Sequence, residues 1–193
     1  SKISITSAIM KALGEAMGQV YTKRKIQAIN DMVSENIDVI IKLIEKAEKK
    51  TIIWSSFKKV ISKTSELLNA KGIKHVVVTG DTQDSDEVLK QFRLYDDINV
   101  LIASQKKLST GVTLIEANQA IFLDLPYRDA DFQQAVDRIH RIGQDTDVYI
   151  WKLLLETRKP NIITHANDIM QWSAQMSSIV MGSKQSPIEP EED

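Results

Sequence analysis

Residues 132–144 read FQQAVDRIHRIGQ and carry two arginines three positions apart, Arg138 and Arg141. On a helix, residues i and i+3 lie on the same face, so this spacing predicts that both guanidinium groups reach one ligand. A guanidinium stays charged and presents a planar set of donors that suits phosphate oxygens. The alternative is a solvated helix end in which Asp137 pairs with Arg141 four positions later.

The composition is that of an ordinary globular protein. With 193 residues, 42 % hydrophobic and 26 % charged, the chain suits one domain with a core. It contains no cysteine, which excludes disulfides and thiolate metal sites, and its three histidines lack the spacing of metal ligands, so no metal site is expected. No apolar run reaches the roughly 18 residues of a membrane span, and no signal peptide is recognisable. We therefore expect an intracellular protein without membrane contact, cytoplasmic or nucleoid-associated in a prokaryote or virus and nuclear in a eukaryote.

The charge balance limits how this chain can meet nucleic acid. Its formal net charge is -1 and its sequence pI is near 6.3. A domain that holds DNA alone through counterion release is usually more basic. Any DNA contact must therefore come from a local patch, shared with another domain.

Short apolar segments alternate with helical patterns on both sides of the central stretch. The helical patterns cover 58–71 and 84–94, and a further helix begins near Asp129. Continuous apolar strands that alternate with helices are typical of a parallel sheet covered on both faces. The sequence thus predicts an α/β domain whose strands are 51–56, 75–79, 99–103, 119–124 and 148–154.

Further elements are predicted at both ends of this domain. Residues 1–50 read as a helical extension packed on the domain, with a possible break at residues 21–22 and a solvated, lysine-rich end at 46–50. Residues 156–182 are predicted to hold a C-terminal helix, from about 161 to about 181. The acidic tail, 183–193, is expected to be disordered.

Polar residues fall where the predicted strands end. Ligands of parallel α/β sheets bind beyond the carboxyl ends of the strands. The sequence therefore predicts a functional edge, and its members are Ser55, Ser56, Thr79, Gly80, Ser104 and Asp124.

Residues 134–144, QAVDRIHRIGQ, resemble motif VI of superfamily 2 helicases in the form found in SWI/SNF-type DNA translocases. The resemblance implies that residues 51–155 are the second, C-terminal RecA-like lobe: a P-loop NTPase type parallel sheet flanked by helices, with added N- and C-terminal helices. It further implies that Arg138 and Arg141 contact the γ-phosphate of ATP as catalytic residues, with Arg141 as the better candidate for an arginine finger. Gln134 and Asp137 become candidate ATP contacts, although Asp137 as a surface ion pair is an equal alternative.

Other segments resemble the remaining motifs of this lobe: TIIWSSF (51–57) motif IV, HVVVTGDT (75–82) the following block, VLIASQKKLSTGVTLIEA (100–117) motif V, and AIFLDLPY (120–127) the strand after it. By this match Gly111 and Thr113 are candidate ATP contacts. The candidate contacts with the DNA backbone are Ser55, Ser56, Thr79, Gly80, Ser104 and Lys106; each hydroxyl has the alternative role of a cap or turn residue. Motif V departs from the family at Leu108 and Ser109, where two glycines are usual, at Thr113, where asparagine is common, and the last segment ends in Tyr127 rather than tryptophan.

The motifs of a first motor lobe are missing from the sequence. There is no GxxxxGK[ST] loop to cradle phosphates and no acidic DExx motif for Mg²⁺. We therefore expect a fragment: the C-terminal motor lobe of an ATP-dependent DNA translocase, inactive alone, whose ATP and Mg²⁺ are held mainly by an absent N-terminal lobe. Its expected partners are that lobe and the backbone of duplex DNA.

Two alternatives remain. A non-catalytic RecA-like module for DNA or protein binding is favoured by the irregular motif V, but the presence of both arginines argues against it. An unrelated α/β enzyme such as a kinase is disfavoured by the missing phosphate loop.

Overall fold

The computed structural model describes residues 2–108, 112–126, 129–154 and 175–181, with side chains described for all of these except 2–4, 154 and 175–181. The helices are α1 (Lys2–Glu35), α2 (Ile37–Lys46), α3 (Lys58–Ala70), α4 (Ser85–Leu94) and α5 (Asp129–Asp137). The strands are β1 (Lys50–Ser55), β2 (His75–Val78), β3 (Val100–Ser104), β4 (Ala117–Phe122), β5 (Val148–Leu154) and β6 (Gln175–Met181).

The strands form one sheet in the order β2-β3-β1-β4-β5-β6. Neighbours from β2 to β5 are parallel, with Ile52 of β1 opposite Leu101 of β3 and Ala120 of β4. This arrangement confirms the predicted α/β class and its five parallel strands. It follows from the composition of the strands, since fully buried apolar segments need helices on both faces.

Alternate residues of β1 enter two separate cores. Ile52 and Trp54 belong to the cluster on the face that also receives α4 and α5, and Trp54 stacks on Phe122 with ring centroids 6.3 Å apart. Ile53 faces the opposite cluster, which is filled by α1, α2 and α3. Helices thus cover both faces of the sheet, α4 and α5 on one face and α1, α2 and α3 on the other.

The N-terminal extension is only partly in contact with the sheet. Ala28, Ile29, Met32 and Val33 of α1 and the apolar face of α2 are buried, whereas residues 5–24 are exposed. The predicted break at residues 21–22 is wrong, because α1 continues to Glu35 and the interruption falls at Asn36. There the side-chain amide of Asn36 donates to the carbonyl of Met32 (2.9 Å), a local bond that competes with helix continuation.

The predicted solvated helix end at 46–50 is also wrong. The helix ends at Lys46, and Lys50 opens β1 with only 9 % of its surface exposed. Its Nζ donates to the carbonyls of Phe92 (2.5 Å) and Tyr95 (2.6 Å). These carbonyls belong to the end of α4, where a cation is favoured by the helix dipole. Burial lowers the pKa of Lys50, against the opposing charge of Asp96.

The predicted C-terminal helix is wrong in its last part. Residues 175–181 form β6, antiparallel to β5, with Ile150 opposite Ile179. An open edge of β5 would leave a row of backbone donors and acceptors unpaired, and a pairing strand satisfies them. The rest of that helix and the tail 183–193 lie outside the described residues.

The sheet reverses its winding at β1. From β1 the chain adds β2 and β3 on one side and β4 and β5 on the other. The crevice beyond the carboxyl ends of the strands at such a point is the usual ligand position. Within the described residues, no helix combines the length and apolarity that a membrane span requires.

Candidate functional site

The two arginines of the central stretch lie beyond the end of α5, which stops at Asp137. The main chain completes one more turn, with His140 N donating to the carbonyl of Val136 (3.0 Å), and then leaves the helix. The prediction that both arginines share a helical face is therefore wrong. Arg138 is only 7 % exposed, whereas Arg141 is exposed.

Arg138 is directed into the protein. Its Nη2 donates to the carbonyl of Leu108 (3.1 Å) and its Nη1 to that of Val112 (3.4 Å), while its own carbonyl accepts from Leu114 N (2.9 Å). Burial, and then the charge of Arg141, lower the pKa of Arg138. The side chain thus joins both ends of the motif V loop to the end of α5.

Arg141 stands on a tight turn. Gln144 N donates to the carbonyl of Arg141 (3.0 Å), and Gly143 adopts φ +97°, a conformation that favours glycine. A Cβ at Gly143 would also lie 3.2 Å from Ile115 Cδ1. The turn leaves Arg141 and Ile142 exposed, and Arg141 Nη1 donates to Thr113 Oγ1 (3.0 Å). Motif VI therefore presents one arginine to the surface, beside a residue of motif V.

Gln144 anchors this turn in the core. It is 7 % exposed, and its Nε2 donates to the carbonyls of Ala117 (2.8 Å), Ile139 (2.8 Å) and, more weakly, Ile115 (3.3 Å). Its Oε1 accepts from Lys49 Nζ (2.7 Å). The sequence did not predict that Gln144 and Lys49 anchor this turn. The only local signal was Gly143, which indicates a turn but not what holds it.

Three of the predicted ATP contacts come together. A surface cavity of about 890 Å³ is lined by Thr113, Asp137 and Arg141, together with other residues of motif VI. The carboxylate of Asp137 is exposed and accepts from Gln133 Nε2 (2.9 Å), which suits its alternative role as a surface group. Gln134 is exposed on α5, outside this lining. Gly111 lies outside the described residues.

The predicted DNA-contacting edge begins at the end of β1. Ser55 is fully buried; its Oγ donates to the carboxylate of Asp124 (2.5 Å) and accepts from Phe57 N (3.1 Å). This burial argues against the predicted phosphate contact by the Ser55 hydroxyl. The hydroxyl instead fixes the loop on which Ser56, half-buried, reaches the surface.

The remaining predicted contacts divide into turn residues and surface residues. Thr79 has the alternative role: its Oγ1 accepts from Asp81 N (3.3 Å) within a turn. Ser104 is 8 % exposed. Gly80 and Lys106 are exposed. Of the predicted DNA contacts, those accessible at the surface of this edge are therefore Gly80, Lys106 and, in part, Ser56.

Asp124 connects the strand ends, a role that its sequence position alone did not indicate. Its carboxylate accepts from Ser55 Oγ and Ser56 N (2.9 Å), and its carbonyl accepts from Gln105 Nε2 (3.2 Å). Burial raises the pKa of Asp124, and the hydrogen bonds from the two serines oppose this rise. The carboxylate and the backbone carbonyl of Asp124 together thus tie the ends of β1 and β3 to the end of β4.

The raised pKa of Asp124 predicts a pH-dependent stability. The folded state binds the proton of the Asp124 carboxyl group more tightly than the unfolded state does, so protonation of Asp124 stabilises the fold. This stabilisation is fully present at low pH and is lost as pH rises through the raised pKa. Asp124→Asn cannot titrate. We expect the free energy of unfolding of the wild type, measured in urea, to fall relative to that of the variant as pH rises above about 4, the ordinary pKa of an aspartate. A difference that stays constant as pH rises would contradict the assignment.

Comparisons with known proteins agree with this architecture. Residues 35–143, more than half of the chain, match the family described as helicase conserved C-terminal domain. The chain is 28 % identical over 151 residues to a SWI/SNF-related matrix-associated actin-dependent regulator of chromatin, subfamily A containing DEAD/H box 1 homolog, from Caenorhabditis elegans, covering 77 % of this chain and 15 % of that protein. It is 33 % identical over 141 residues to the ATP-dependent helicase FUN30 of Saccharomyces cerevisiae, covering 69 % of this chain and 12 % of that protein.

A solved structure shows the same fold. The C-terminal part of the Fun30 ATPase domain superposes with a TM-score of 0.58 at 31 % identity, covering 62 % of this chain and 40 % of that one. The chain thus spans a small part of the relatives that it matches. The predicted RecA-like lobe is confirmed, and the chain belongs to the helicase conserved C-terminal domain family, in its SWI/SNF-type branch.

Proposed function

We propose that this chain is the C-terminal motor lobe of an ATP-dependent DNA translocase and that Arg141 is its arginine finger. The observation that carries the proposal is the placement of Arg141: exposed, next to Thr113, on a turn that Gln144 anchors. An exposed guanidinium on a rigid support can stabilise negative charge on a transferred phosphoryl group without reorganising first.

The residues around Arg141 suit the phosphate end of a nucleotide. Arg141 supplies the cation and Thr113 a hydroxyl, and Gln134 and Asp137 remain candidates for orienting groups. When bound, ATP supplies the phosphoanhydride bond whose hydrolysis drives movement. Mg²⁺ would be held by the N-terminal lobe, because the acidic motif that coordinates it is not in this sequence.

Arg138 has a different task in this proposal. Because its guanidinium is used on the carbonyls of Leu108 and Val112, it positions the motif V loop relative to motif VI. A direct contact with ATP would require it to exchange these partners, and it stays a prediction.

The DNA grip is proposed at the carboxyl ends of the strands, through Ser56, Gly80 and Lys106. Backbone amides, hydroxyls and ammonium groups suit phosphates and read no sequence. Ser55 and Asp124 would hold this edge in shape. Since motif V joins the edge to Arg138, closure of two lobes around ATP would be coupled to the grip. The relatives come from fungi and a nematode, and one is named a regulator of chromatin, which supports a nuclear location.

A non-catalytic binding module remains the second candidate, and one observation favours it. Arg138 makes hydrogen bonds that support the fold, so a domain without catalytic activity would also need this arginine. Only Arg141 therefore distinguishes a motor lobe from a binding module.

The isolated 193-residue chain tests the division of labour between lobes. We expect it to bind duplex DNA but to hydrolyse no ATP above the background rate, because the phosphate-cradling loop is not in its sequence. Fluorescence anisotropy with a labelled duplex and a phosphate-release assay measure the two properties. Turnover by this chain alone would overturn the proposed division.

A further inference from the structure

A strongly basic surface lies where α1 meets the start of α3, and the site described above makes no use of it. Its members, called here the basic turn, are Lys23, Arg24 and Lys25 of α1; Lys23 lines a groove with Lys59 of α3, and Lys25 lies over the ring of Phe57, next to the start of α3. The three residues of the basic turn precede the segment that matches the helicase family, residues 35–143.

The basic turn is continuous with the proposed DNA edge. Lys25 Nζ lies 5.7 Å from the centroid of the Phe57 ring, in the loop after β1, and its charge acts on Asp124. Lys58 pairs with Asp81 (2.9 Å) and lies beside Gly80, where a Cβ would be 3.7 Å from Lys58 Cε. The ammonium groups of Lys25 and Lys58 thus lie next to the proposed DNA edge.

Lys23 and Lys59 face a common groove of about 490 Å³ between α1 and α3. Gly18 leaves this groove open, since a Cβ there would meet nothing within 4 Å. Glu15 is the acidic residue in the lining, so cations outnumber it two to one. The groove therefore has the charge and openness that an extended anion requires.

The placement of these charges is not explained by helix stability. The first turn of α3 holds Lys58 and Lys59 and no acidic residue, although cations are unfavourable at that end of a helix. The whole chain carries a formal charge of -1, so this concentration of cations is local. Repulsion among them is relieved when a polyanion binds.

We propose that the basic turn binds backbone phosphates of duplex DNA and lengthens the grip of this lobe beyond the helicase fold. The proposal rests on the proposed DNA-dependent function and names further residues for it. Each cation that neutralises a phosphate releases counterions, so its loss is visible as a change in the salt dependence of binding.

The test compares Lys23→Gln/Arg24→Gln/Lys25→Gln with the wild-type 193-residue chain, using a labelled mixed-sequence duplex at several salt concentrations. Glutamine keeps the helix propensity and most of the stem. We expect the slope of log affinity against log salt to fall in magnitude by about 2 to 3, at about 0.9 per phosphate contact. The control, Lys42→Gln/Lys46→Gln/Lys90→Gln, removes the same charge from exposed positions of α2 and α4 and should keep nearly the wild-type slope.

The outcomes separate this inference from the function on which it rests. If the wild type binds DNA with a steep salt dependence and the basic-turn variant keeps that slope, the inference alone is wrong. An equal loss in the control would also overturn it, because net charge would then explain the effect. A wild-type chain without salt-dependent binding to duplex DNA would refute both the basic turn and the proposed DNA grip. If polyglutamate displaced the duplex at equal charge, the partner would be an acidic protein surface instead.

Discussion

Arg141→Ala, in a protein that joins this lobe to its N-terminal partner, is expected to reduce DNA-stimulated ATP turnover by at least about a hundredfold. The guanidinium is exposed and bonds to Thr113 Oγ1, so its removal leaves the core intact. The melting temperature and the affinity for duplex DNA should therefore stay close to wild type. Steady-state phosphate release, thermal unfolding and anisotropy measure the three quantities on one preparation.

Arg93→Ala is the matched control for this experiment. Arg93 is another exposed arginine, and its Nε pairs with Glu116 (3.2 Å) at the surface of α4. Its loss should leave turnover nearly unchanged, since exposed ion pairs contribute about 1 kcal/mol or less. Turnover by Arg141→Ala equal to that of this control would remove Arg141 from the catalytic site.

Gln144→Ala is expected to lower the free energy of unfolding by about 2 to 4 kcal/mol. The substitution withdraws a donor from three carbonyls, among them those of Ala117 and Ile139, and an acceptor from Lys49. A buried carbonyl that loses its partner keeps the full cost of its desolvation. Urea unfolding of the isolated chain measures the difference.

Gln133→Ala controls for the loss of a glutamine as such. Gln133 is exposed on α5 and bonds to Asp137, four residues later. We expect a change within about 0.5 kcal/mol, as for most surface substitutions. A Gln144→Ala variant as stable as this control would show that the turn carrying Arg141 is not anchored through the amide.

The parts of the fold that follow from local patterns were predictable. The buried strands, such as β3, are continuous apolar segments, and their alternation with helices determines a parallel sheet. The meeting of Arg141 with Thr113 agrees with the resemblance, which made both residues candidate ATP contacts. The role of Arg141 itself stays a prediction.

Most of the errors share a physical cause, since the residues concerned depend on a tertiary partner distant in sequence. From sequence alone Lys50 is predicted to be a solvated lysine, because its partners, the carbonyl groups at the end of α4, lie more than 40 residues away in sequence. Residues 175–181 read as helix until the edge of β5 offers a partner. Arg138 and Arg141 read as an equivalent pair, but the end of α5 between Asp137 and Arg138 turns one inward and the other outward.

The most direct test of the account is the rate of ATP hydrolysis by the two-lobed protein with and without saturating duplex DNA. If this chain is the C-terminal half of a DNA-dependent motor, the rate rises when DNA is added, while the isolated lobe shows none under either condition. A two-lobed protein that binds duplex DNA but hydrolyses no ATP would contradict the account, and the lobe would then be a binding module built on a motor fold.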